Sequence, residues 1–258
     1  MRVDIRPIRD LVIEAGTRAL RQWGTVAAEA KSDRSLVTEV DRAIEAFLGE
    51  GIARLHPDAG FAGEEFGRRN GDRADTWVCD PIDGTTNYVR GLPHWCVSLG
   101  LVRNGVAEAG VIWAPVLNRL YWAVRGEGAY CNDVRLAAPD RDAIEYEDLL
   151  CISTNGLKTL PTSGVEARLR CLGSIALELC LVAEGRAVGA IGLHEGIMDM
   201  AAAMCICEEA GCGFAYLDGS ALTAGDLLAE WRTSRHFVAA PSRLRALLCE
   251  ALAPGARG

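Results

Sequence analysis

Two carboxylates three residues apart, Asp80 and Asp83, stand at the end of an apolar run and are followed at once by Gly84, Thr85, Thr86 and Asn87. Acids placed where a strand ends can converge on one bound ion, because carboxylate oxygens are the donors that hard divalent cations take. The hydroxyls of Thr85 and Thr86, with the free amides after Gly84, are the parts that hold a phosphate. The run Trp77-Val78-Cys79 is expected to be a buried strand that breaks at Pro81 into a turn. No ordinary turn demands Asp-x-x-Asp-Gly-Thr-Thr-Asn behind such a strand, so the string reads as chemistry.

Further acids fall near the ends of other expected elements. Glu64 and Glu65 sit in Phe61 to Gly67, which reads as a short strand ending in a glycine turn with both acids exposed. Asp199 opens a helix running to Ala210, and three alanines after it would let that helix pack close to a neighbour. Asp41 lies in the first turn of a helix capped by Thr38, where its simplest role is to favour the helix dipole. Glu64, Asp80, Asp83 and Asp199 together could hold hard cations, with Asp80 bridging two of them. The chain has no histidine-rich or thiolate pattern, so Mg2+, or Mn2+, fits better than zinc or copper. Such ions beside a phosphate cradle would support metal-assisted hydrolysis of a phosphate ester. A glycosidase reading of Asp80 with Asp83 fails, because those carboxylates must flank a sugar from opposite sides.

The composition sets limits on this reading. At 258 residues, half of them hydrophobic, the chain can form one large domain or two closely packed ones. A net charge of -8 argues against a partner that is a nucleic-acid polymer or an anionic membrane. A small anionic substrate remains compatible if metal ions invert the local charge. The 10 cysteines lie mostly within apolar stretches and form no Cys-x-x-Cys pair, the pattern of reduced, buried thiols. Cys205-x-Cys207 lacks the second pair that structural zinc needs. With no signal-peptide pattern and no run as long as a membrane span, the expected location is cytoplasmic.

These acids need a scaffold. Helical spacing is expected over residues 5–23 and from Thr38 to about Leu55, with a polar loop at Lys31 to Ser35 between them. Strands over 95–102 and 109–114 meet at the tight hairpin signal Asn104-Gly105, and 120–124 and 128–131 continue an antiparallel meander. The polar stretch 139–147 suggests a boundary, giving an N-terminal α+β subdomain over 1–138 and a C-terminal α/β subdomain over 139–258. In the latter, strands are expected at 149–153, 170–172, 188–192, 213–216 and 237–240. Helices are expected at 165–169, at 175–183 behind Gly173-Ser174, at 198–210 and at 242–252.

The string from Asp80 to Asn87 resembles the signature of the inositol monophosphatase family, magnesium-dependent and lithium-sensitive phosphatases. Gly63-Glu64-Glu65, Leu36 to Asp41, Arg170 to Ser174 and Asp199 to Ala202 resemble its other motifs, so the likeness covers nearly the whole chain. It implies an α/β fold layered as an αβαβα sandwich, a homodimer, and two or three Mg2+ ions. By position, Glu64, Asp80 and the carbonyl of Ile82 would hold one ion, and Asp80, Asp83 and Asp199 a second. A third would lean on Glu64 through waters. Thr85, hydrogen-bonded to Asp41, would with Glu64 orient the attacking water. Phosphate would meet Gly84, Thr85 and Thr86, with Lys31 on a mobile loop and Gly173 and Ser174 nearby.

The departures gather on the leaving-group side. Inositol-cleaving members carry a glutamate seven residues before the last metal aspartate, and here that residue is Gly192. Met198 replaces a tryptophan, Ile175 an alanine, and Ser35 an acid. His194 and Glu195 could supply replacement contacts, although a loop histidine is more simply solvated. The expected substrate is a small phosphate monoester: inositol monophosphate or a related sugar phosphate, with histidinol phosphate, fructose 1,6-bisphosphate and 3'-phosphoadenosine phosphate as alternatives. Two non-enzyme readings stand beside it: a metal- or phosphate-binding module, and a structural or regulatory oligomer that keeps the fold without activity. In the former, Thr85 and Asp41 would be dispensable.

Overall fold

A computed structural model describes residues 3–30, 36–69, 73–162 and 164–252. The N-terminal part begins with helix α1 (Arg6–Leu20), short strands β1 (Glu29–Ala30) and β2 (Leu36–Val37), and helix α2 (Glu39–Leu55). Strands β3 (Gly60–Gly63), β4 (Gly67–Arg69) and β5 (Asp75–Asp83) follow, then helix α3 (Thr85–Val89). The meander is β6 (Cys96–Arg103), β7 (Val106–Ala114), β8 (Arg119–Val124), β9 (Gly128–Cys131) and β10 (Val134–Arg135). Beyond it come β11 (Leu149–Ile152), α4 (Thr154–Thr159), β12 (Arg168–Arg170), α5 (Ile175–Ala183) and β13 (Gly189–Gly192). The last elements are α6 (Ile197–Glu209), β14 (Cys212–Tyr216), α7 (Ala224–Glu230), β15 (Phe237–Pro241) and α8 (Ser242–Leu252).

Two large sheets organise these elements, and β1 pairs with β2 apart from them. The first has the order β10-β9-β8-β7-β6-β5-β3-β4, and the second β12-β11-β13-β15-β14. α1 and α2 pack on one face of the first sheet, α5 and α6 lie between the sheets, and α8 covers the outer face of the second. The result is the αβαβα sandwich. Strand β5 is buried without alternation after its first residue, because helices cover both its faces. Asn104 and Gly105 both have positive φ, which suits the tight β6–β7 turn.

The packing of α6 fixes the site. A Cβ on Gly100 or Gly110 would come within 2.4 Å of backbone atoms of Ala202, so the helix lies flush on glycines of β6 and β7. Small residues on both partners allow this approach, and it sets the depth at which Asp199 enters.

Three expectations need correction. β5 does not break at Pro81 but runs to Asp83, with a register shift against β6 between Asp80 and Asp83. A bulge tolerates a residue without an N–H, so proline interrupts the ladder here without ending the strand. Residues 165–169 form no helix. That stretch leads into β12, and the helix is α4, capped by Ser153, whose hydroxyl accepts the Gly156 N–H at 3.3 Å. α7 was also unforeseen, although Thr223 and Asp226 form its capping box.

Candidate active site

Asp80 sits within the β5 bulge, where its Oδ1 accepts the Ile82 N–H at 2.8 Å. Glu64 follows β3 directly, and a buried acid of α2, Glu45, holds the turn that carries it. The Glu45 carboxylate accepts the N–H groups of Glu65 at 2.6 Å and Phe66 at 2.9 Å. Gly63 is glycine because a Cβ there would fall 2.1 Å from that carboxylate. Glu64 and Glu65 are therefore half-buried rather than exposed. Asp199 lies at the third position of α6, with its Oδ2 accepting the Gly196 N–H at 2.9 Å.

Through these supports Glu64, Asp80 and Asp199 each bring an oxygen within 4.8 Å of the others. Asp83 stands beside this triad rather than in it. Its Oδ2 accepts the Ser174 hydroxyl at 2.6 Å and the Ala176 N–H at 2.8 Å, and its charge acts on Asp80. All four acids line one cleft of about 240 Å³, together with the Ile82, Gly84, Thr85, Gly173, Ser174 and Ile175 positions.

The turn after Asp83 is built for close contact. Gly84 has a φ of +92°, and a Cβ there would meet the His94 carbonyl at 2.8 Å. Thr85 opens α3, and its hydroxyl donates to the Ile82 carbonyl at 3.0 Å and, at the long distance of 3.5 Å, to Asp41 Oδ1. Asp41 also closes the cap of α2, accepting from the Thr38 hydroxyl at 2.5 Å and the Thr38 N–H at 2.8 Å. Asp41 is thus both the cap of α2 and the distant partner of the Thr85 hydroxyl. Asn87 ties the turn to the other half of the site, its amide donating to the His94 and Leu172 carbonyls at 2.7 Å each.

Electrostatically the cleft is dominated by buried acids, with the Arg232 charge acting on Asp199. Burial and the nearby Glu64 and Asp199 charges push the Asp80 carboxyl well above the usual range, and burial with Asp199 does the same to Asp83. Asp199 is pushed up to about 6 by burial and Glu64. Asp41 also rises to about 6, through burial opposed by its bonds to Thr38. Buried like charges with oxygen donors on one centre are what a hard cation compensates, so this donor set fits Mg2+ or Mn2+.

The remaining expected residues divide. Glu195 lines the cleft, where burial and Asp199 push its carboxyl up to about 7. His194 does not line it. It has a φ of +63° and faces a separate hollow beside Tyr216 and His236. Thr86 is exposed and absent from the cleft wall, while Lys31 lies outside the described residues. Sequence reasoning missed Glu45, Glu178 and the α4 start at Ser153, Thr154 and Asn155, all but the first of which line the cleft. A signal existed for Glu178, an acid in an otherwise apolar helix, and a weaker one for Glu45, which continues the buried face of α2 four residues after Asp41.

Comparison with known proteins places this geometry. The model of the inositol monophosphatase family matches residues 5–254. A Nus factor SuhB of Pasteurella multocida is 36% identical over 246 residues, covering 84% of this chain and 90% of the relative. A histidinol-phosphatase of Mycobacterium tuberculosis is 35% identical over 206 residues, covering 75% of this chain and 78% of the relative. Among solved structures, the extragenic suppressor protein suhB of Bartonella henselae superposes with a TM-score of 0.86 at 28% identity, covering 97% of this chain and 98% of its own.

Proposed function

The chain belongs to the inositol monophosphatase family, and from that premise we propose that it is a phosphoric monoester hydrolase dependent on Mg2+, acting on a small phosphate monoester through an activated water. The observation that carries this reading is the meeting of Glu64, Asp80 and Asp199 oxygens within 4.8 Å, beside the Gly84–Thr85 turn. Glu64, Asp80, Asp199 and the Ile82 carbonyl would hold the metal, with Asp83 serving a second ion. Bound there, a hard divalent cation polarises a phosphoryl oxygen and acidifies water.

The chain's own groups do the rest. The amides at the start of α3 have no intrahelical acceptor and receive the phosphate oxygens. Thr85, held by the Ile82 carbonyl and Asp41, orients the attacking water together with Glu64 and passes its proton toward Asp41. The water oxygen bonds to phosphorus as the ester P–O bond breaks, and the leaving alkoxide oxygen takes its proton from a solvent water. Ser174 and the Ala176 amide keep Asp83 from turning, which preserves the shape of the site.

The names inositol monophosphatase and histidinol-phosphatase mark the range from which the substrate comes. The same reading carries a homodimer, lithium inhibition and a cytoplasmic location. It also divides the chain into residues 1–138 and 139–258, each half supplying part of the cleft. The test is phosphate release from a panel of inositol 1-phosphate, fructose 1,6-bisphosphate, histidinol phosphate and 3'-phosphoadenosine 5'-phosphate, with Mg2+ and after chelation. Turnover that requires the metal supports the reading. Full activity after chelation, or no turnover of any ester, overturns it.

A further inference from the structure

We infer that Glu195 reads the alcohol half of the ester and, with Glu178, selects an alcohol that carries a protonated amine; this rests on the phosphatase reading above. A Cβ built on Gly192 would meet Phe237 at 2.5 Å and Glu195 Cγ at 2.8 Å. The Glu195 side chain thus fills the space over Gly192, and an acid three residues farther along the chain stands in for a side chain at that position. Its backbone is held on both sides. The Glu195 N–H donates to the Thr233 hydroxyl at 3.1 Å, and its carbonyl accepts the Thr233 N–H at 2.9 Å. Burial and the Asp199 charge raise the Glu195 carboxyl, and hydrogen bonding from Ser153 and the Leu193 amide opposes that rise.

Glu178 supplies the second, independent observation. Its Oε1 accepts the N–H groups of Leu172 at 2.6 Å and Gly173 at 3.2 Å. Its Oε2 is buried without a hydrogen-bond partner, although the residue lines the cleft and is only 1% exposed. A buried carboxylate oxygen left without a donor is costly, and a ligand that brings a donor removes the cost.

The charge pattern names the donor. Among the described residues that line the cleft there is no Lys, Arg or His, while Glu64, Asp80, Asp83 and Asp199 stand together and Glu178 and Glu195 complete the wall. Divalent cations answer the first four acids. No cationic side chain of the wall stands against the other two, which receive only neutral donors. A neutral polyol would offer hydrogen bonds but leave both charges uncompensated, whereas an ammonium brings three donors and a positive charge.

The test uses the full chain with Mg2+ and measures phosphate release from 2-aminoethyl, 3-aminopropyl and 4-aminobutyl phosphate, each against its hydroxyl-terminated counterpart. The best amine ester should exceed its counterpart in kcat/KM by about tenfold or more. In Glu195→Gln that ratio should collapse toward unity, and Glu195→Asp, which keeps the charge, should recover part of it. Should Glu195→Gln fail to fold, Glu178→Gln must lower the same ratio. An unchanged ratio in the folded variant overturns the inference. An amine preference absent from whichever esters the wild type hydrolyses overturns the inference alone, and failure of every ester, the panel above included, overturns the phosphatase reading.

Discussion

Glu45 touches no substrate atom, yet the position of Glu64 depends on it. Both Glu45 oxygens accept backbone N–H groups of the turn that follows Glu64, at 2.6 and 2.9 Å, in a place with no solvent access. In Glu45→Gln one acceptor becomes an NH2 facing an N–H donor, so one charge-assisted bond is lost and one buried donor is left unsatisfied. Each of those changes costs about 1–3 kcal/mol, which sets the destabilisation at about 2–6 kcal/mol. In a chain of this size that lowers Tm by at least about 4 °C and by up to about 24 °C. Displacement of the turn should also lower kcat/KM for the best panel substrate by about tenfold or more, since an ångström of misplacement is felt strongly in a constructed site. Thermal unfolding and phosphate release, measured on the same preparation across a range of Mg2+ concentrations, give both numbers. Added Mg2+ should recover part of the activity, because a loosened ligand weakens the ion before it abolishes the chemistry. If Glu45→Gln melts with the wild type and turns over at the wild-type rate, the link from α2 to Glu64 plays no part in the site.

Thr85→Ala removes the hydroxyl that donates to Ile82 and Asp41; kcat should fall about 100-fold or more while KM moves little. A kcat within threefold of wild type would refute the role given to Thr85. Glu178→Gln should flatten the pH dependence of stability. Burial raises the Glu178 carboxyl from 4.5 to about 7, so the unfolded chain releases its proton first and stability falls as pH rises across that window, by about 3 kcal/mol in all. Denaturant midpoints at pH 4.5 and pH 8 should show the variant losing less stability than the wild type, and equal losses would refute the assignment.

Much of this was legible in the sequence where signals were local. Thr38 with Asp41 spelled the cap of α2, Asn104-Gly105 the β6–β7 hairpin, and Gly173-Ser174 the start of α5. What failed depended on neighbours. Pro81 reads as a breaker in one dimension, and only the bulge against β6 lets the strand continue through it. α4 and α7 span 6 and 7 residues, too short for apolar periodicity to declare them, although the capping box of α7 was there to be read. Asn87 shows the limit plainly. Its place in the motif suggests chemistry, whereas its amide joins two carbonyls, one of them 85 residues away, and so fastens one half of the site to the other.

The acids themselves illustrate why the scaffold is so elaborate. Glu64, Asp80 and Asp199 come from a turn, a bulged strand and a helix start, and brought together they repel one another in a buried place. No local propensity would assemble them, so other contacts must hold each against that repulsion. Glu45 anchors the first, the Ile82 amide the second, and the close seat of α6 on Gly100 and Gly110 the third. Burial that opposes folding of the empty cleft therefore favours any cation that enters it, because binding relieves a strain already built in. The free energy withheld from folding reappears as affinity for the ion. By the same logic Glu178, whose Oε2 is buried without a partner, and Glu195, whose carboxyl burial raises, carry a penalty that the proposed amine of the substrate would reduce.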